Sequence, residues 1–281
     1  MEPGLGRGSA RVIPVVAAEN FWGSIAAQLG GRHARVVSVV VNPNTDPHSY
    51  EPTAADARSI ALARLVVENG IGYDPWMDRL LAADNGNRTV LNVGTLLGVP
   101  AGGNPHRWYD PLDVRAIVRR LAAAYGSLDP AYRRYFSRRA ALFLSSGLHR
   151  YFSLIAKIRS AYGGTPVGAS ESIFAMLAPA LGLRLVTPPS FLRAISEGTE
   201  VSAADKQTID RQIDDHEIEI YVYNRQNVTP DVQAQLADAK ARHIPTATIT
   251  ETLTPASASY QSWQTAQLRG IRAALARAAG H

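Results

Sequence analysis

Cysteine is absent from the 281 residues. That excludes a structural disulfide, a thiolate zinc site, an iron–sulfur cluster and a thiol nucleophile. It assigns no redox compartment, because a cysteine-free chain works in any of them. Long apolar runs are missing too. Ile13–Ala18 and Val36–Val41 fall far short of the roughly 18–20 residues of a membrane-spanning helix. The first ten residues, MEPGLGRGSA, lack the apolar stretch of a signal peptide and read as a flexible leader. Charge of one sign is scarce: 29 Lys and Arg stand against 24 Asp and Glu, a net +5 that does not ask for nucleic acid. With 46% apolar and 19% charged residues the chain is not disordered, and its length suits about two domains.

What is present is an alternation of strand and helix patterns. Strands are expected at Val12–Ala18, Val36–Val41, Leu65–Glu68 and Thr89–Val93, with helices at Phe21–Leu29, Ala54–Arg64 and Tyr73–Ala83. The second half repeats the theme. Its strands are Pro166–Ala169, Leu183–Thr187, Glu219–Tyr223 and Thr246–Thr250, and its helices Ser172–Leu181, Ala204–Asp215, Pro230–His243 and Ala258–Ala279. Such alternation predicts an α/β fold with parallel sheets. Thr229-Pro230-Asp231 is a helix start, with a capping hydroxyl, proline in the first turn and an acid on the dipole.

Between the halves, Asp129-Pro130 opens a helical pattern that runs to Gly163-Gly164. It predicts one helix of about 33 residues and about 50 Å, joining two α/β lobes as a strut that permits only small lobe movements. Two helices with a kink near Ser145-Ser146-Gly147 are the alternative. The resulting division is 1–128, a linking helix over 129–162, and 163–281. The cluster Arg133, Arg134, Arg138 and Arg139 reads as a solvated helix face.

Two histidines stand in nearly the same local sentence. One is Asp46-Pro47-His48-Ser49-Tyr50-Glu51-Pro52; the other is Asn104-Pro105-His106-Arg107-Trp108-Tyr109-Asp110-Pro111. The first proline of each holds its histidine on a stiff loop, and the second suits the first turn of a following helix. Each loop follows an expected strand, where α/β folds place their sites. An imidazole on a stiff loop is what a preorganised metal ligand needs. Glu171, between a strand and a helix, and Glu251, after the last strand, are candidate acidic partners, with helix N-terminal or solvated roles as the alternative. His33, His149, His216, His243 and His281 read as surface or capping residues.

With these motifs the sequence resembles the extracytoplasmic solute-binding receptors of ABC transporters for zinc and manganese, the cluster A-I type. DPHSYEP at Asp46–Pro52, NPHRWYDP at Asn104–Pro111, ENGIGYDPWM at Glu68–Met77 and the long helix between two lobes carry the resemblance. It implies one Zn²⁺ or Mn²⁺ ion per chain, held in the cleft between the lobes and released on docking to a membrane permease. It implies a monomer outside the cytoplasm, in the periplasm or on the outer face of the cell membrane, anchored through an acylated cysteine upstream of this sequence. The motifs match His48 and His106 to the family's first two ligands, SES-I-F at Ser170–Phe174 matches Glu171 to the third, and TETLTP at Thr250–Pro255 matches Glu251 to the fourth.

Two positions depart from the family pattern. Glu251 stands where Asp is usual, and Glu171 where zinc receptors commonly have His; Pro52–Asn104 also lacks a His-rich loop. A set of two His and two Glu is harder than three His and one Asp, which favours Mn²⁺, whereas the Irving–Williams order favours Zn²⁺ as the ion found after purification. The reading is a capture protein and not an enzyme, since four protein ligands leave no open position and H-E-x-x-H is absent. Alternatives are a metal-dependent hydrolase using the same cluster, an adhesin with a structural metal, and, on charge alone, a nucleic-acid binder.

Overall fold

The computed structural model describes residues 12–45, 47–84 and 86–280. The leader expected at residues 1–10, Asp46, His281 and the His48 side chain lie outside the described residues. The order begins β1 (Ile13–Glu19), α1 (Asn20–Gly30), β2 (Ala34–Val40), α2 (Ala54–Leu62), β3 (Leu65–Glu68), α3 (Pro75–Ala83), β4 (Thr89–Asn92), α4 (Val93–Leu97) and α5 (Pro111–Leu128). The connection follows as α6 (Arg133–Leu142) and α7 (His149–Tyr162). The second half is β5 (Pro166–Ala169), α8 (Ser172–Leu181), β6 (Arg184–Leu185), α9 (Pro189–Glu197), α10 (Ala203–Asp214), β7 (Ile220–Asn224), α11 (Pro230–Ala241), β8 (Thr246–Ile249) and α12 (Tyr260–Ala278).

Two parallel four-stranded sheets result, ordered β2-β1-β3-β4 and β6-β5-β7-β8. The second repeats the topology of the first. In each, the chain leaves the first strand to one side and then returns to the other. The carboxyl ends of β1 and β3, and of β5 and β7, are therefore switch points, where open α/β sheets bind ligands. Helices cover both faces, so β1 and β3 read as continuous apolar runs and are buried almost throughout.

Helix starts follow local chemistry. Asp110 caps α5 by accepting from Leu112 N at 2.8 Å, with Pro111 in the first turn, as the motif predicts. Thr229 caps α11 in the same way. Pro52 does not start a helix. Thr53 takes the cap of α2 in a reciprocal box with Asp56, and Pro52 lies just outside. His216 and His243 occupy left-handed positions past the ends of α10 and α11, at φ 53° and 57°, consistent with a capping role. His149 is exposed.

The connection is helical from Pro130 to Tyr162, but not as one unbroken α-helix. A π-turn at Phe143–Gly147 divides α6 from α7, at the Ser145-Ser146-Gly147 segment that was the alternative kink. Leu148 N donates to Phe143 O at 2.8 Å, a five-residue reach. The Ser145 hydroxyl takes the Ala141 carbonyl at 2.8 Å and competes with the ordinary helix bond there. The extra residue lets Phe143 and Leu148 both face the core.

Two surface expectations are corrected. His33 is 3% exposed, its ring 3.9 Å from Tyr132 and 4.6 Å from Tyr135 between centroids, because α6 folds over it. Arg139 is not a solvated charge: its Nε donates to Gln28 O at 2.8 Å, a carbonyl of the last turn of α1.

One apolar cluster runs through both halves, from Trp22 and Ile25 of α1 through Tyr125 of α5 to Phe174 of α8 and Leu268 of α12. Helix α12 touches the first half directly. Tyr260 N donates to Ser24 Oγ at 2.9 Å, and the Tyr260 hydroxyl donates to Trp108 O at 2.6 Å. The two sheets are thus held at a common wall.

Candidate metal site

The cleft is built from strand ends. His48 lies on the short helical turn Pro47–Ser49 after β2. His106 does not directly follow a strand, because α4 intervenes after β4. Its ring is fully buried, edge-on to Tyr73 and Trp108 at 5.9 and 5.2 Å between centroids. Asn104 fixes it. Asn104 Nδ2 donates to the Ser172 carbonyl at 2.7 Å, which turns Asn104 Oδ1 toward the histidine. That oxygen accepts from the His106 backbone N–H at 3.0 Å and lies 2.9 Å from His106 Nδ1. A carbonyl oxygen only accepts, so Nδ1 carries the proton and Nε2 the lone pair that a metal needs. Ser172 is in the second half, so Asn104 ties His106 to the residue next to Glu171.

Glu171 occupies the N-cap position of α8, yet its side chain makes no capping bond. The Ser172 amide donates instead to Ser196 Oγ at 3.2 Å. Glu171 thus gives the helix no capping bond, and the residue is 2% exposed. Glu171 Oε2 accepts from Asn224 Nδ2 at 2.6 Å and Oε1 from Asn227 Nδ2 at 2.9 Å.

The same Asn224 amide reaches Glu251 Oε1 at 2.8 Å. Glu251 Oε2 accepts from the Tyr73 hydroxyl, in the first half, at 2.9 Å. The structure thus brings Glu171 and Glu251 onto one amide group, and sets His106 and Tyr73 beside them. All four carboxylate oxygens accept hydrogen bonds, from three neutral groups: the Asn224 and Asn227 amides and the Tyr73 phenol. Among the described residues, no three His, Asp or Glu side chains form a metal-binding group by themselves.

Tyr73 is delivered by a strained loop. Gly70, Ile71 and Gly72 all have positive φ, at 70°, 61° and 80°. Glycine suits the first and third positions, and a Cβ on Gly70 would strike Asn92 Oδ1 at 2.5 Å. Ile71 is β-branched and unfavourable there. Asp74 holds the loop by accepting from Asn69 N and Gly70 N, each at 2.7 Å. Burial pushes the Tyr73 phenol well above its ordinary range, and the charge of Glu251 adds to this, so it stays a proton donor.

Beneath this loop lies a second acidic group. Glu19, at the end of β1, is fully buried beside Asp74. Burial, and after it the charge of the neighbouring Asp74, raises its pKa well above the carboxylate range. Burial also raises Asp74 to about 6 against its two amide donors, and Glu68 to about 7.

The sequence reading missed Asn224, Gln226 and Asn227. The available signal was their place directly after β7, at the switch point opposite Glu171. Tyr73 and Asn104 lay inside quoted motifs but had no role.

A family model described as "Zinc-uptake complex component A periplasmic" matches residues 15–274. The chain belongs to this family. Its members are solute-binding proteins, not enzymes, which removes the hydrolase alternative. A putative metal-binding protein of Treponema pallidum is 24% identical over 148 residues, 46% of each chain. The chain therefore matches just under half the length of that relative. The iron-binding protein YfeA of Yersinia pestis is 25% identical over 250 residues, 84% of this chain and 74% of that one. The fold is that of a solved manganese-bound periplasmic metal-binding protein of Candidatus Liberibacter asiaticus, at TM-score 0.78 and 18% identity, over 94% of this chain and 99% of that one.

Proposed function

We propose that the protein captures one divalent transition-metal ion outside the cytoplasm, through His48, His106, Glu171 and Glu251, and delivers it to an ABC permease for import. In this reading the lobes are residues 1–128 and 163–281, with 129–162 between them, and the protein acts as a monomer. The observation that carries it is Asn224, whose single amide gathers a buried carboxylate, Glu171, and a half-buried one, Glu251, opposite an imidazole held in the metal-binding tautomer. Two carboxylates neutralise a 2+ ion, and two neutral imidazoles complete a four-ligand set that leaves no place for a reacting water.

Zinc is the ion proposed to load most tightly. The Irving–Williams order places Zn²⁺ far above Mn²⁺ at nitrogen and oxygen donors. The two glutamates make the site harder than an imidazole-rich one and narrow that gap. Relatives named for iron and manganese show that the fold accommodates several ions.

Metal content of the purified chain tests the reading, paired with thermal-shift titration of chelator-treated protein by Zn²⁺ and Mn²⁺. The expected result is about one ion per chain, lost in the His48→Ala/His106→Ala variant, with a large shift in the wild type only. No ion and no shift overturn it. Unfolding on metal removal, instead of a folded metal-free protein, would favour the structural-metal reading.

A further inference from the structure

Gln226 joins three pieces of the cleft. It follows Asn224 by two residues, and its backbone N–H donates to Asn224 Oδ1 at 3.0 Å. Its side-chain oxygen accepts from Glu251 N at 2.6 Å and from Thr252 N at 3.1 Å. Its side-chain nitrogen donates to Thr252 Oγ1 at 2.8 Å and also to the carbonyl of Pro43. Pro43 belongs to the first lobe, in a tight turn closed by Thr45 N donating to Asn42 O at 3.0 Å. Asn42 Oδ1 accepts from Asn44 N at 3.0 Å and stiffens that turn.

The position of this bond matters. A cavity of about 370 Å³ opens over Glu251, with Pro43, Asn44 and Thr45 on one side and Ser196, Glu197 and Gly198 on the other. Gln226 also lines it and spans it. Both ends of the amide are committed, so the side chain cannot hold Pro43 in a different place without releasing the Glu251 turn. A planar amide that accepts from one lobe and donates to the other is a rigid link.

We propose that Gln226 is a positioning residue that latches the Asn42–Thr45 turn to the Glu251 turn, holds the mouth of the cleft closed and slows departure of the captured ion. The last part rests on the capture function proposed above; the latch itself does not. Gln226→Glu separates the two roles of the side chain. It keeps the oxygen that accepts from Glu251 N and Thr252 N, and loses the N–H that reaches Pro43.

The cysteine-free chain allows a direct test. Spin labels are placed at Asn44→Cys and Glu197→Cys, two exposed positions on opposite sides of the mouth. Their separation is measured by pulsed electron resonance in chelator-treated protein with Gln226, Gln226→Glu and Gln226→Ala. Zinc release to a chromophoric chelator is timed in the unlabelled proteins. The expected result is one narrow separation in the wild type, a longer and broader one in both variants, and release about tenfold faster, the low end for loss of an outer contact. Unchanged separations overturn the latch. A change in Gln226→Ala but not in Gln226→Glu also overturns it, because the residue would then act only on the Glu251 turn. Longer separations in both variants with a wild type that takes up no zinc would uphold the latch and overturn the capture reading.

Discussion

Tyr73 and Glu251 meet across the cleft, the phenol of one lobe donating at 2.9 Å to the carboxylate of the other. The strained turn Gly70–Gly72 and the two amide bonds of Asp74 hold the phenol there. Tyr73→Phe keeps the ring packing on Phe21 and Trp108 and removes only the hydroxyl. Metal affinity is expected to fall about tenfold, within the range for loss of a bond to a ligand. Thermal stability of the metal-free protein is expected to fall by about 1–3 kcal/mol, the cost of leaving the Glu251 oxygen without its donor. Competition against a chelator of known affinity, with parallel thermal melts, checks both.

Asn104 has two distinct partners in opposite lobes, so its variants separate orientation from bridging. Asn104→Ala removes the nearer partner of His106 Nδ1 and leaves the Ser172 hydroxyl at 3.3 Å, which can donate as well as accept and so no longer fixes the tautomer. Affinity is expected to drop about 10–100-fold. Asn104→Asp restores an acceptor for Nδ1 but loses the donor to Ser172 O, and is expected to recover part of the loss. Calorimetric titration with zinc decides this. Equal losses in the two variants would mean that the bridge to Ser172 matters and the tautomer does not.

Asn224 is the shared donor of both acids, so its substitution by Asp sets three carboxyl groups together. In the metal-free protein this is expected to cost about 2–4 kcal/mol, from repulsion and the lost donor. A bound 2+ ion offsets much of that cost. Asn224→Asp is therefore expected to show a lower melting temperature than wild type without metal, and a larger rise on adding zinc. A rise equal to that of wild type would show that the residue carries no electrostatic load in the site.

The parts of this picture that the sequence made legible are those governed by local chemistry. Pro111 behind Asp110 and Thr229 before Pro230 specify their helix starts by geometry alone. The Val-rich runs β1 and β3 announce buried parallel strands because both faces are covered. The Asn224–Asn227 turn was not legible, since an Asn or Gln after a strand reads as an ordinary turn residue until the fold brings distant partners to it, Glu171 and Glu251 from neighbouring strand ends and Pro43 from the first half. His33 misled for the same reason: a histidine in a Gly-Gly-Arg turn looks exposed until α6 is folded over it. The π-turn depends on Phe143 and Leu148 both facing inward, a demand that comes from the packed core.

Glu68, Glu19 and Asp74 give stability a pH dependence of definite sign. Burial is the main cause of the upward shift in each, to about 7 for Glu68 and about 6 for Asp74. A carboxyl whose folded pKa is raised keeps in the folded state a proton that the unfolded chain has released. Its contribution is complete below about pH 4.5 and is lost as pH climbs through the folded value. Wild-type stability from Glu68 and Asp74 is thus expected to decline between about pH 4.5 and pH 7, with Glu19 adding to the decline as pH rises through its own raised value. Glu68→Gln removes the ionisation and can still accept the 2.9 Å bond from Asn92. Relative to wild type it is expected to gain about 2–3 kcal/mol between pH 4.5 and pH 8, at 1.36 kcal/mol per pKa unit. Denaturant unfolding of chelator-treated wild type and variant at both pH values measures the difference. An identical offset at both would mean that the Glu68 carboxyl ionises in the folded chain as readily as in the unfolded one.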